Sequence, residues 1–237
     1  MNFWEKIKEN QYKLVIALAI SIYTITLTWF TVSKHNTFTT YAWDLGIFDQ
    51  SFWTTINRDK IFYYTCELHL SDSGSFFGIH FSPILFTVIP IYYLHQSAET
   101  LLFIQSLILA LSAYPIYQIA QLYHKKKTSC ILSCIYLMNP ALHGVNSYDF
   151  HVQAFLPLLL GYVLYFSLSK KWLSFIVAVN LALAVQEQVF YLIAAYSLFL
   201  VILLIRNPHQ ETKRTRTLII ILLLTTAIAW KLISGAV

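Results

Sequence analysis

Four short polar pieces interrupt an otherwise apolar sequence and carry most of the residues able to do chemistry. They are DLGIFDQ at 44–50, HFSP at 80–83, YDFH at 148–151 and QEQ at 186–188. Each follows or precedes an apolar segment, so each is held close to a membrane surface. A carboxylate in that position can serve as a general base toward a sugar or another hydroxyl, and Asp44 and Asp149 are among the carboxylates that offer this. His80, His151, Glu187 and Asp49 are candidate substrate-binding residues beside them. Two carboxylates with His80 or His151 are also ligand types that a divalent cation accepts. Their spacing matches no metal motif, so no residue is assigned as a metal ligand and the need for a divalent cation stays open.

Each of these residues also has a plainer reading. Asp is a preferred helix N-cap, and an amphipathic segment starts at Asp44, so capping alone accounts for it. Asp49 lies five residues on, about 140° around a helix of 3.6 residues per turn, and so faces away from Asp44. His151 begins an apolar segment and is equally well read as an interfacial histidine. Glu187 has no basic neighbour in sequence, and an ionisable residue at such depth is costly unless it is used. Arg58 and Lys60, with Lys34, are the few cations expected on that face. They suit the phosphate of a lipid carrier, or are solvated loop charges.

The elements that position these pieces are set by composition. Hydrophobic residues make up 57% and charged residues 11% of the 237, where a soluble domain carries about 25% charged. The aromatic share of 16% fits residues that favour membrane interfaces. A net charge of +5 suggests nucleic acid, but the basic residues sit in short clusters between apolar runs. They read as topology signals, with anionic membrane lipid as a partner, and nucleic acid is excluded. The 3 cysteines imply no disulfide framework; Cys130 and Cys134 lie one helical turn apart as packing residues, and Cys66 stands alone in a polar loop.

The expected fold is an all-α polytopic membrane protein, with residues 1–237 forming a single transmembrane domain. Spans are expected at 14–33, 99–122 (kinked at Pro115), 128–145, 152–169, 172–185, 189–205 and 217–235, set against a hydrocarbon core of about 30 Å. The first stretch is long for a signal peptide and lacks a small-residue cleavage site, so it reads as an uncleaved helix. An outer loop at 34–98 holds an amphipathic helix at 44–56, with Leu45, Phe48, Phe52 and Ile56 on one face. It also holds a short proline-bearing interfacial helix at 81–94.

Charge orients the bundle, because cytoplasmic loops are enriched in Lys and Arg. With the N-terminus inside and 81–94 not spanning, Lys6, Lys8, Lys13, Lys125, Lys126, Lys127, Lys170, Lys171, Arg206, Lys213, Arg214 and Arg216 all fall inside. The expected location is the plasma membrane, multi-pass, with a cytoplasmic N-terminus. Asp44, Asp49, Asp59, Glu67, Asp72, Glu99, Asp149 and Glu187 then fall outside, together with His35, His69, His80, His95, His143 and His151.

YAWDLGIFDQSFW at 41–53, HFSPILF at 80–86, IPIYYL at 89–94, YDFH and AVQEQVFYLIA at 184–194 resemble the membrane proteins grouped as domain-of-unknown-function family 2079. The resemblance runs from about residue 14 to the chain end. That family is in turn distantly similar to the C-type glycosyltransferases, which use polyprenyl-phosphate sugars as donors. The resemblance implies a C-type helical bundle, of which this shorter chain is taken as the N-terminal part. Asp44 matches the first essential acidic position and Asp149 the second. In the late turn the family commonly reads Lys-Glu-Asp, whereas this chain has Gln186, Glu187 and Gln188, so only the glutamate is kept.

The expected function is therefore transfer of a sugar from a polyprenyl-phosphate donor at the outer face. Asp44 would orient or deprotonate the acceptor, Arg58 or Lys60 would hold the phosphate, and Asp149, His80 and Glu187 would shape the pocket. Two other classes remain: a transporter or lipid-binding membrane protein, which needs polar residues in mid-membrane such as Gln105 and Asn180, and a non-catalytic scaffold, which tolerates alanine at Asp44, Asp149 and Glu187. The sequence names neither donor sugar, acceptor nor oligomeric state.

Overall fold

In the computed structural model, residues 3–206 and 213–234 are described. The polar linker at 207–212 and the last residue of the 217–235 segment lie outside them. The chain is 76% helical with no strands among the described residues. Two of its helices are long and apolar enough to cross a membrane, Asn10–Asn36 and Ala98–Gln121.

The first helix, α1 (Phe3–Asn36), leaves Leu14, Leu18, Ile22, Ile25 and Trp29 bare. That apolar stripe has lipid as its natural solvent. Its other side packs on α4 (Ala98–Leu111) and α6 (Lys126–Leu137). Between them come α2 (Ala42–Asn57) and the short α3 (Ile89–Leu94). Leu45, Phe48 and Phe52 of α2 are buried, so this helix is folded into the bundle and does not simply lie on a membrane. The loop after it is pinned back onto it. The Thr54 hydroxyl donates to the Tyr63 carbonyl at 2.6 Å, and the Phe62 N–H donates to the Thr55 hydroxyl at 2.7 Å. The segment expected as one interfacial helix is a 3₁₀ turn at Pro83–Thr87 followed by α3.

One expected span is kinked and another is divided. The one at 99–122 bends at Ser112, between α4 and α5 (Ala113–Gln121), within one long apolar helix. Pro115 lacks the N–H that would reach Leu111, and its ring crowds the carbonyl one turn back, so the bend falls before the proline. The one at 128–145 divides into α6 and α7 (Pro140–Ser147). Pro140 is the first residue of α7, and the Asn139 side chain caps it by accepting from the Ala141 N–H at 3.0 Å. After a 3₁₀ turn at Val152–Phe155 come α8 (Leu156–Leu168), α9 (Trp172–Leu183), α10 (Val189–Arg206) and α11 (Lys213–Ser234). With a rise of 1.5 Å per residue, α9 is about 18 Å long, well short of a full span of about 30 Å.

The contacts define two ends of the bundle. At one end Cys130 of α6 packs with Ile16 and Tyr12 of α1, beside Tyr117 of α5. At the other the end of α1, the start of α2, the turn after α7 and the α9–α10 turn meet. There Lys34 Nζ donates to the Ser147 carbonyl at 2.7 Å, and Gln153 Nε2 donates to Gln186 Oε1 at 2.6 Å.

Candidate functional site

The second end carries the chemistry, and the start of α2 is its centre. Asp44 is not the cap of that helix. Tyr41 holds the N-cap position, and its backbone N–H donates to Asp149 Oδ2 at 2.6 Å. Asp149 thus serves an orphan donor of a helix far away in sequence, which leaves Asp44 in the first turn, where the helix dipole favours a carboxylate. Its Oδ2 accepts from the Tyr148 hydroxyl at 3.0 Å, and its Oδ1 lies 3.5 Å from His151 Nε2. The Asp44 and His151 side chains are about one-third exposed, whereas Asp149 is 1% exposed. Asp44 is therefore the carboxylate that a ligand can reach, and Asp149 the one built into the wall.

Gln105 of α4 holds the Asp149 turn in place. Its Nε2 donates to the carbonyls of Tyr148 at 3.1 Å and Asp149 at 3.2 Å, and its Oε1 accepts from the His151 N–H at 2.8 Å. This polar residue, one of two weighed as lining a transport path, is an anchor for the site. The other, Asn180, accepts from Trp230 Nε1 at 3.1 Å and ties α9 to α11. His151 Nδ1 lies 2.8 Å from the Asp149 carbonyl. Both of its ring nitrogens face acceptor oxygens.

Burial pushes the Asp149 carboxyl above its ordinary 3.8, against the opposing pull of the Tyr41 N–H and the Lys34 ammonium. The Tyr148 hydroxyl is also held above its ordinary value, first by its hydrogen bond to Asp44 and then by that charge.

His80 and Glu187 form a second acid–imidazole pair, with Nδ1 3.0 Å from Oε1. The Ile84 N–H donates to the Ala184 carbonyl at 2.9 Å, which clamps the HFSP piece to the QEQ turn. His80 Nε2 is turned away from the glutamate, while Glu187 Oε2 is buried without a hydrogen-bond partner. An aromatic partition separates this pair from the first. Phe48 meets Phe150 at 5.0 Å and Phe76 at 4.9 Å, and Phe76 meets His80 at 5.7 Å between ring centroids.

The remaining candidates lie elsewhere. Asp49, on a different face of α2, accepts from the Tyr92 hydroxyl at 2.6 Å. Arg58 stands over the Trp53 ring at 5.6 Å and Lys60 over the Tyr63 ring at 4.1 Å. Arg58 caps the C-terminal end of α2, about 21 Å along the helix from Asp44 by its rise. Arg58 and Lys60 are therefore not brought together with Asp44, and the cation at this end is Lys34, with Tyr148 and Gln105 as further members. A lysine in the last turn of the first helix was visible in the sequence, but nothing in its neighbours marked it for Asp149. Among the described residues no three His, Cys, Asp or Glu side chains gather as a metal-holding group. The two acid–imidazole pairs stay pairs.

Residues 34–236 match the family described as "Predicted membrane protein (DUF2079)". The chain belongs to that family. The match begins at Lys34 and so covers both acid–imidazole pairs of this DUF2079 member, but only the end of the first helix, within which the sequence resemblance was taken to begin. No curated protein matches the chain, and no solved structure does. The likeness to C-type glycosyltransferases accordingly rests on the sequence layout alone.

Proposed function

We propose that this membrane protein is a glycosyltransferase acting on a polyprenyl-phosphate sugar at the outer face of the plasma membrane, with its N-terminus cytoplasmic. The observation that carries the reading is the reachable Asp44 carboxylate, fixed by Tyr148 and His151 beside a buried Asp149. An enzyme that activates a hydroxyl needs one accessible carboxylate in a fixed orientation, and a scaffold has no use for that arrangement. The acceptor hydroxyl gives its proton to Asp44 as its oxygen bonds to the anomeric carbon. The bond from that carbon to the donor phosphate breaks, and its electron pair leaves with the polyprenyl phosphate. Asp149 positions α2 through Tyr41. His80, backed by Glu187, stands beyond the aromatic partition and takes no direct part at the carbon that Asp44 serves. Acceptor and leaving group must lie on opposite sides of the reacting carbon, and charge on the leaving phosphate is what most needs stabilising.

Proteoliposomes holding the full chain and polyprenyl-phosphate sugar donors test this. Asp44→Asn keeps the shape and the Tyr148 contact, and transfer should fall by about 10²-fold or more while the thermal midpoint holds. Unchanged transfer in Asp44→Asn would sink the base assignment.

A further inference from the structure

A cavity of about 750 Å³ opens on the other side of α2, lined by His35, Tyr41, Gly46, Asp49, Gln96 and Ala98. We propose that it is a binding site for a neutral saccharide, separate from the place where Asp44 meets a hydroxyl; this binding does not rest on the reaction assigned above. The volume lies within the range of about 300–1,000 Å³ usual for small-molecule sites. Its polar groups are prearranged by partners that leave one face of each unused. Asp49 Oδ1 accepts from Tyr92, leaving Oδ2 without that bond. His35 Nδ1 pairs with the Thr40 hydroxyl at 3.2 Å, leaving Nε2. Gln96 Oε1 accepts from Asn57 at 2.7 Å, leaving its amide hydrogens. The first turn of α4, at Ala98, receives no side-chain cap.

This mixture decides the ligand class. Asp49 and the Glu99 of α4's first turn set negative charge beside the cavity and disfavour an anion. The amide of Gln96 and the uncapped N–H groups of α4 are donors and disfavour a bare cation. Hydroxyl groups, which donate and accept at once, satisfy both sets. Phe38 adds an aromatic surface at the cavity mouth. It is 95% exposed and held at φ 57°, a left-handed conformation uncommon for a bulky residue, and such strain gathers at ligand clamps. Tyr41 joins the cavity to Asp44's cluster, because it lines the cavity while its ring stacks on Tyr148 at 5.6 Å.

Gly46 gives a clean test. A Cβ there meets nothing within 4 Å, and leucine favours a helix over glycine, so Gly46→Leu should fold and fill the cavity. Saturation-transfer NMR on nanodisc-embedded protein, with methyl glucoside, methyl mannoside and N-acetylglucosamine as probes and inorganic phosphate as the charged control, reads binding directly. Sugar signals should appear with the natural chain and fall to the empty-nanodisc level in Gly46→Leu, and they should weaken in Asp49→Asn. No sugar signal, a sugar signal unchanged by Gly46→Leu, or phosphate binding lost in Gly46→Leu would each overturn the proposal. Asp44→Asn separates the two ideas: sugar binding that survives while transfer is indifferent to Asp44 rejects the catalytic reading and keeps the saccharide site.

Discussion

At the scale of single residues, the site depends on one carboxylate buried so that another can stay in reach of ligand. Asp149 bears the desolvation, and its raised carboxyl is the measurable trace. The folded protein keeps that proton to higher pH than the unfolded chain does. Its stabilising share is therefore complete below the ordinary 3.8 and is lost as pH rises through the raised folded value. Asp149→Asn keeps an acceptor for the Tyr41 N–H and removes the titration. Thermal midpoints measured from pH about 4 upward should fall with pH more steeply in the natural chain than in the variant; parallel curves would mean that Asp149 does not titrate as its burial implies. Gln105 is the other residue on which the turn depends. Gln105→Leu leaves the His151 N–H without its acceptor, which should cost about 1–3 kcal/mol. The variant should show a lower midpoint and weaker transfer, since the turn carries both Asp149 and His151.

At the scale of elements, the helices were legible where apolar runs are long, as were the kink at Pro115 and the QEQ interruption, but the break at Asn139–Pro140 was not. The pattern of Leu45, Phe48 and Phe52 marked α2 and its buried face, and the charge pattern marked which loops carry acids. The Asn139–Pro140 break was readable in principle, as a capping residue before a first-turn proline. The apolar residues on both sides hid it, because hydropathy is blind to a missing N–H. The site was legible as four motifs but not as two pairs. Which acid meets which imidazole depends on the turn of α2 and on the Phe48, Phe76 and Phe150 partition, and neither is local in sequence. Helix packing also selects small residues that no motif announces. A Cβ at Gly161 of α8 would sit 2.9 Å from Pro115 Cγ of α5, so these two helices touch nearly backbone to ring. Gly161→Val should lower the thermal midpoint by the equivalent of about 1–3 kcal/mol. Gly144→Ala on α7, where a Cβ meets nothing within 4 Å, should raise it slightly. Equal shifts in the two would show that the α5–α8 contact is loose.

At the scale of the whole molecule, the proposed function requires that the two ends of the bundle face different compartments. The lysines at 125–127 and the Asp44 cluster occupy opposite ends, and basic loops stay cytoplasmic. The free and exposed Cys66 is a natural reporter. Its loop cannot drift to another compartment from α2, because the neighbouring Thr65 N–H donates to Gln50 Oε1 of that helix at 3.1 Å. A membrane-impermeant maleimide should therefore label Cys66 on intact cells. In a chain otherwise freed of cysteine, Lys126→Cys should react only after permeabilisation. Reaction of both positions from one side would place the carboxylates with the lysines. A lipid-linked sugar presented at the outer leaflet would then never meet Asp44, however well Tyr148 and His151 hold it.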